Sequence, residues 1–183
     1  MNKKFEIKTI LKEKLSQYKD KIIIEYGLHN SPFGDCFIAN SNLGICSFEF
    51  FSENKDASIN KLKLDFKDFQ IKQNQEKTFE IVNSIFEINN TTIKILLIGT
   101  QFQIDVWKAL LKIPFGKTVS YNEISNIIGN AKANRAVGNA VGKNNLAFIV
   151  PCHRIIMKNQ RIGNYKWGSK LKEAIIDWEK QIQ

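Results

Sequence analysis

Hydrophobic and polar positions alternate with several different periods along the 183-residue chain, and each period predicts an element. In the first twenty residues Phe5, Ile7, Ile10, Leu11 and Leu15 are spaced by Lys and Glu, which predicts a charged amphipathic helix. Three β-rich segments follow. Residues 22–26 are β-branched, residues 35–39 follow the turn set Ser31-Pro32-Phe33-Gly34, and residues 45–51 follow Asn42-Leu43-Gly44. The Asn/Gly turn between the last two predicts an antiparallel hairpin. Residues 53–88 read as mostly helical with breaks between 67 and 74, and residues 92–98 as a further strand.

The second half has a helical period. Apolar residues at 102, 106, 107, 110 and 111 predict a helix over 102–112 that stops before Ile113-Pro114-Phe115-Gly116, where proline cannot continue it. Ser120-Tyr121-Asn122-Glu123 has the form of a capping box, with Val119 and Ile124 at the staple positions. This helix is expected to end at Gly129. A second one is expected from Asn130 to about Val141, with Gly142 as its C-terminal glycine. Two short helices joined by a tight turn make a helix-turn-helix candidate, though such pairs are also common in proteins that never touch DNA. The second helix carries Ala131, Ala133, Ala136, Gly138 and Ala140 with one Arg, Arg135. Small side chains let its backbone approach a partner closely, while one long cation reaches further. Residues 146–150 form an apolar, strand-like run, and Leu171, Ile175, Trp178 and Ile182 form the stripe of a last helix over 171–182. Glu179 lies about 80° off the direction of Leu171, at the border of that stripe.

Charge changes the picture. The net charge is +9, and residues 1–91, with 13 Lys and 13 acids, sum to zero. Residues 92–183 hold 11 Lys and 3 Arg against 5 acids, so they carry the whole excess, 14 − 5 = +9. Together with the turn-like pair Asn89-Asn90, this shift divides the chain into domains 1–91 and 92–183. A basic half beside a neutral half suits a polyanion-binding module on a scaffold, or simply a solubilising surface. The N-terminus lacks the continuous apolar core of a signal peptide, and no apolar run is long enough to cross a bilayer. Three cysteines with no CxxC fit a reduced compartment, cytoplasmic or, in a eukaryote, nuclear.

The candidate chemistry lies in Pro151-Cys152-His153-Arg154. A thiol reacts as thiolate, which neighbouring imidazole and guanidinium groups favour. A lone cysteine is usually a small buried hydrophobe, and a lone histidine is usually structural, but adjacency shifts the balance. Two residues adjacent in sequence need not face each other, so proton relay can require a water. Glu179, a carboxylate bordering a buried stripe, needs a partner, and His153 is a candidate.

Pro151-Cys152-His153-Arg154 behind an apolar run resembles the active-site motif of the 6-O-alkylguanine-DNA alkyltransferases, the methylated-DNA–protein-cysteine methyltransferases. Gly99-Thr100-Gln101-Phe102-Gln103 with Val106-Trp107, then Ile113 to Tyr121, is similar to the segment that opens the family's C-terminal domain. Arg135-Ala136-Val137-Gly138 is similar to its recognition helix, Asn144 to its hinge asparagine, and Gly163-Asn164-Tyr165-Lys166-Trp167-Gly168 with Lys172 and Glu179 to its C-terminal part. Residues 22–51 resemble the family's N-terminal domain only weakly.

The resemblance implies an α+β fold. Its N-terminal domain is a small antiparallel sheet flanked by helices, ribonuclease H-like, and its C-terminal domain is mostly helical, with a helix-turn-helix and an active-site strand or turn. It implies direct-reversal DNA repair: irreversible, stoichiometric transfer of the alkyl group of O6-alkylguanine, and of O4-alkylthymine, to Cys152. His153 then takes the thiol proton through a water, Glu179 orients His153, Tyr121 assists the departing base, and Asn144 ties the helix-turn-helix to the active site. Arg135 fills the gap left by the flipped base, with Ala133, Ala136, Gly138 and Tyr121 against the minor groove of double-stranded DNA. Tyr165, Trp167, Lys172 and Ile155 form the substrate pocket. No cofactor, membrane or obligate protein partner is implied. Asn134 and Asn139 depart from the family's pattern at the recognition helix, and Ile98 stands where proline is common. Some relatives bind a structural zinc, but His29, Cys36 and Cys46 have no recognised ligand spacing, so no metal is expected. No room is expected for the additional domains of related regulators. Two other classes stay open: a lesion-binding module without transfer, and a Cys–His thiol hydrolase.

Overall fold

The structure, a computed structural model, describes residues 3–51, 54–87 and 91–182; the Asn89-Asn90 pair lies outside them. It divides into two compact units, Lys3–Thr100 and residues 101 onward.

The first unit is built on a six-stranded mixed sheet. Its strands are β1 (Lys4–Leu11), β2 (Ile23–Ser31), β3 (Gly34–Ser41), β4 (Gly44–Phe50), β5 (Gln70–Gln73) and β6 (Thr92–Gly99), in the order β1-β6-β4-β3-β2-β5. The expected hairpin is present: β3 pairs antiparallel with β4, and β2 adds to it antiparallel. The sheet is neither small nor wholly antiparallel, because β1 and β4 lie parallel to β6, and β5 parallel to β2. The first residues form an edge strand and a 3-10 helix, Lys12–Tyr18, instead of an amphipathic α-helix. Lys4, Glu6, Lys8 and Thr9 face solvent and Ile10 is buried, the charged pattern that protects an edge from further pairing. The helical expectation for residues 53–88 becomes helix α1 (Lys55–Asp65), strand β5 and helix α2 (Gln75–Phe86), with Asn54 and Asn74 capping the two helices.

Side chains alternate across the sheet, so each face has its own core. Leu62 of α1 and Phe66 just after it cluster with Ile24, Phe37, Ala39, Cys46 and Leu96. Phe48, opposite Ile38 in the register and therefore on the other face, meets Phe86 of α2. Because β6 is an interior strand of this sheet, the units separate after Thr100 and not near residue 90, where the charge shift pointed.

The second unit carries helix α3 (Gln101–Leu110), a short pair of parallel strands β7 (Val119–Ser120) and β8 (Ile155–Ile156), and helices α4 (Tyr121–Ile127), α5 (Asn134–Gly142) and α6 (Ser169–Gln181). The capping box at Ser120 and Glu123 is complete. Gly129 takes φ +73°, which ends the turn after α4. Helix α5 starts at Asn134, later than expected, and Gly142 is its last residue, followed by Lys143 at φ −90°. No helix of the described residues is long and apolar enough to cross a membrane.

Candidate active site

Cys152 begins a single 3-10 turn, Cys152–Arg154, that leads into β8. The apolar run before it is not a strand: residues 147–149 are turn, and Phe148 holds φ +63°. A bulky residue in that region is strained and persists only where its surroundings hold it. Here the Phe148 ring stacks on His153, with centroids 5.8 Å apart at 16°, and meets Trp178. Asn144, buried just after α5, braces the turn from inside. Its Nδ2 donates to the carbonyls of Val150 (3.0 Å) and Leu146 (3.2 Å) and to Cys152 Sγ (3.0 Å), and its Oδ1 accepts from Leu146 N (2.9 Å). One carboxamide thus ties the end of α5 to the thiol.

The thiol is buried, and burial pushes its pKa up. The Asn144 donor and the Lys172 and Lys166 charges oppose that rise. It therefore rests as a thiol and needs a base to react. His153, fully buried, bonds Glu179 Oε1 through Nε2 at 2.9 Å, while its Nδ1 is buried without a hydrogen-bond partner. Burial lowers the imidazole's pKa, against the pull of Glu179, so the ring is neutral with its proton on Nε2. Nδ1 is then a free lone pair on the residue that follows the buried thiol in the chain. Burial disfavours the Glu179 carboxylate, but His153 and Arg154 outweigh this and hold its pKa at about 2.

Glu179 lies in the buried stripe of α6, Lys172, Ile175, Ile176 and Glu179, one face over from the apolar stripe read from the sequence. Lys172 donates to the carbonyls of Ile155 and Ile162, both at 2.5 Å, and burial lowers its pKa to about 8 against the Cys152 charge. Tyr165, edge-on to Trp167 at 5.1 Å, has a buried hydroxyl without a hydrogen-bond partner; burial and then the neighbouring Cys152 raise its pKa well above 10. Tyr121 opens α4. Burial and the Cys152 charge raise its phenol, and its ring passes about 3.8 Å from where a Cβ on Gly138 would sit. Ile155 is buried in β8.

Cys152, His153, Glu179, Asn144, Ile155, Lys172, Tyr165 and Tyr121 thus share one region. Arg135 and Ala136 stand on the exposed face of α5, with Ala133 and Gly138 partly covered and Val137, Ala140 and Val141 turned inward. Sequence reading missed the role of Arg154. Its guanidinium donates to both oxygens of Glu179 (2.8–3.1 Å) and to the Ile113 carbonyl (2.7 Å), and lies 5.4 Å over Phe115. The signal available was a carboxylate on a buried stripe, which requires a cation, beside an arginine in the cysteine motif. Among the described residues no group of three or more His, Cys, Asp or Glu is placed to hold a metal ion.

Residues 101–181 match the family model described as 6-O-methylguanine DNA methyltransferase, DNA binding domain. The chain is 33% identical over 154 residues to a methylated-DNA–protein-cysteine methyltransferase of Methanosarcina acetivorans, covering 84% of this chain and 97% of that one. It is 32% identical over 164 residues to the bifunctional transcriptional activator/DNA repair enzyme Ada of Escherichia coli, covering 86% of this chain and 46% of Ada. The chain therefore spans about half the length of that protein and of the Ada regulator of Salmonella typhimurium. Among solved structures, Mycobacterium tuberculosis OGT in complex with DNA superposes with a TM-score of 0.69 at 32% identity, covering 86% of this chain and 93% of OGT.

Proposed function

Since the chain belongs to the methylated-DNA–protein-cysteine methyltransferase family, we propose that it repairs DNA by moving the alkyl group of O6-alkylguanine, and of O4-alkylthymine, irreversibly to Cys152. The observation that carries this reading is the divided imidazole of His153, with Nε2 on Glu179 and Nδ1 buried and unpartnered, on the residue that follows the buried Cys152.

The thiol proton passes through a water to His153 Nδ1, and Glu179 stabilises the imidazolium. Sulfur attacks the alkyl carbon; the S–C bond forms as the C–O6 bond breaks, and the electron pair stays with the base. The base takes up one proton from Tyr121, whose raised pKa keeps the phenol protonated until then, and the His153 imidazolium returns its proton through water to the phenolate. One proton lost by the thiol is balanced by one gained by the base. Burial suits this sequence, because a thiol activated only on substrate arrival is protected from other electrophiles.

The same reading assigns DNA binding to the second unit. Helices α4 and α5 act as a helix-turn-helix on the minor groove, where Ala133, Ala136 and Gly138 allow close approach. A base inside a duplex cannot reach Cys152, so it must be flipped out, and Arg135 fills the gap in the stack. Tyr165, Trp167, Lys172 and Ile155 surround the flipped base. The first unit is a ribonuclease H-like scaffold, and no cofactor is required.

The product thioether has no activated leaving group, so each chain accepts one alkyl group and stops. Titrating a large excess of duplex containing O6-methylguanine and counting methyl groups by intact mass should give one per chain. Many turnovers would favour the thiol hydrolase, and binding without a mass change would favour a lesion-binding module.

A further inference from the structure

Glu179 is surrounded by donors. Oε1 accepts from His153 Nε2 (2.9 Å) and Arg154 Nη2 (2.8 Å), Oε2 from Gly116 N (3.0 Å), and Arg154 Nε approaches both oxygens, at 3.1 and 2.9 Å. The Arg154 side chain is only 13% exposed, and its remaining terminal nitrogen is fixed on the Ile113 carbonyl at 2.7 Å. The fork thus holds the carboxylate on one side and the loop after α3 on the other, and Gly116 of that loop donates back to the same carboxylate. A carboxylate with its lone pairs so committed orients an imidazole but attracts its proton less than a free one would.

We propose that Arg154 is a positioning residue for alkyl transfer: by occupying Glu179 it lets that carboxylate fix the His153 ring through Nε2 while leaving the ring neutral, with Nδ1 open to the Cys152 proton. This assignment rests on the transfer reading above, yet its test does not require transfer. The charged and titratable groups around His153 are Cys152 and Arg154 on its own turn, Glu179 and Lys172 on α6, and Tyr165, which shares the Cys152 environment. Glu179 favours imidazolium, and Arg154 and Lys172 oppose it. Without Arg154 the Glu179 charge acts on His153 with only Lys172 opposing it.

The chain has only two histidines, His29 and His153, so a 15N-histidine spectrum contains two rings, and His29→Gln assigns them. In Arg154→Gln the His153 pKa should rise by about one pH unit or more, and the acid limb of single-turnover transfer from free O6-alkylguanine base should move up with it. Arg154→Lys keeps a charge but not the fork, and should raise the pKa by less. A merely structural role would lower the rate equally at all pH values and leave both the ring's pKa and the limb in place; that result in a folded variant overturns the proposal. If Arg154→Gln does not fold, the Arg154→Lys spectrum decides: a rise supports the proposal and an unchanged ring overturns it. Loss of transfer in the wild type, with the histidine shift intact in the variants, would remove the alkyltransferase reading and leave the Arg154 assignment standing.

Discussion

The two units bury the same chemical groups to different ends. Cys36 and Cys46 lie in the sheet, on opposite faces, and burial pushes both thiols up to about 12. Cys152 is equally buried, yet it has an amide donor on its sulfur, two lysine charges acting on it and an unpartnered imidazole nitrogen next door. The carboxylates divide in the same way. Glu25 in the sheet pairs with Lys72 and Lys77, whose side chains are 58% and 55% exposed. Glu179 pairs with an arginine that is 13% exposed and a histidine that is fully buried. Burial alone makes a cysteine inert and a carboxylate structural; what distinguishes the second unit is which neighbours are buried with them.

The sharpest way to break this comparison is to remove each thiol. Cys152→Ala should abolish transfer while leaving duplex affinity nearly unchanged, since binding rests on phosphate and groove contacts. Cys36→Ala and Cys46→Ala should each lower stability by about 1 kcal/mol, the loss of a small buried apolar group, and keep one methyl per chain. Intact mass after exposure to methylated duplex measures all three. A methyl group on the Cys152→Ala protein would relocate the acceptor.

Next come the carboxylates. Glu179→Gln should slow transfer by about 100-fold, the usual value of a base and its orienter. It should also destabilise the protein by about 3 kcal/mol, because it strands Arg154. Glu25→Gln should cost under about 1 kcal/mol, since its lysines reach water, and should not affect transfer. The pH dependence has a definite sign. Both carboxyls are held at about 2 in the folded state, so their stabilisation is complete above about 4.5 and is lost as the pH falls from there through 2. Burial lowers the His153 pKa, so the unfolded chain takes up that proton first, and stability already declines as the pH falls below 6.5. Burial lowers the His29 pKa as well, so melting temperatures from pH 7 to 3 should show the upper part of this decline shrink in a His153→Gln variant to what His29 contributes, and the lower part weaken in Glu179→Gln.

Which features were legible in the sequence follows from the range of the interactions that make them. The capping box at Ser120, the hairpin around Asn42 to Gly44 and the stop at Pro114 are set by neighbours within a few residues, and each is visible locally. The edge strand β1 is not. Its apolar positions fit a helix as well as a strand, and the decision is made by parallel pairing with β6, Phe5 opposite Ile93 and Ile7 opposite Ile95. The last helix was read one face out because its buried stripe contains Lys172 and Glu179, which periodicity counts as polar and the site requires inside. Cys152 and His153 were found through their adjacency, Glu179 through its place beside the last helix's apolar stripe and Asn144 through the family resemblance; Arg154 was passed over because its partners, Ile113 and Glu179, are 41 and 25 residues away.

The smallest expected effect concerns two glycines that look alike in sequence. Gly44 has φ +130°, and a Cβ there would sit 2.7 Å from the Lys94 carbonyl carbon, so the sheet itself requires glycine. Gly138 lies inside α5 with no such requirement: a Cβ would meet nothing nearer than the Tyr121 ring at 3.8 Å, an ordinary contact. Stability therefore favours alanine at this position, by about 0.5–1 kcal/mol in a helix interior. A glycine retained where the fold prefers alanine points to a demand from outside the fold, and close approach of α5 to a duplex supplies one. Gly138→Ala should melt slightly higher than the wild type and transfer the methyl group from free O6-methylguanine base at an unchanged rate. From duplex it should transfer about tenfold more slowly, the equivalent of about 1.4 kcal/mol. Equal rates on base and duplex would show that α5 tolerates the methyl at its partner surface, and would move the groove contact to another part of the second unit.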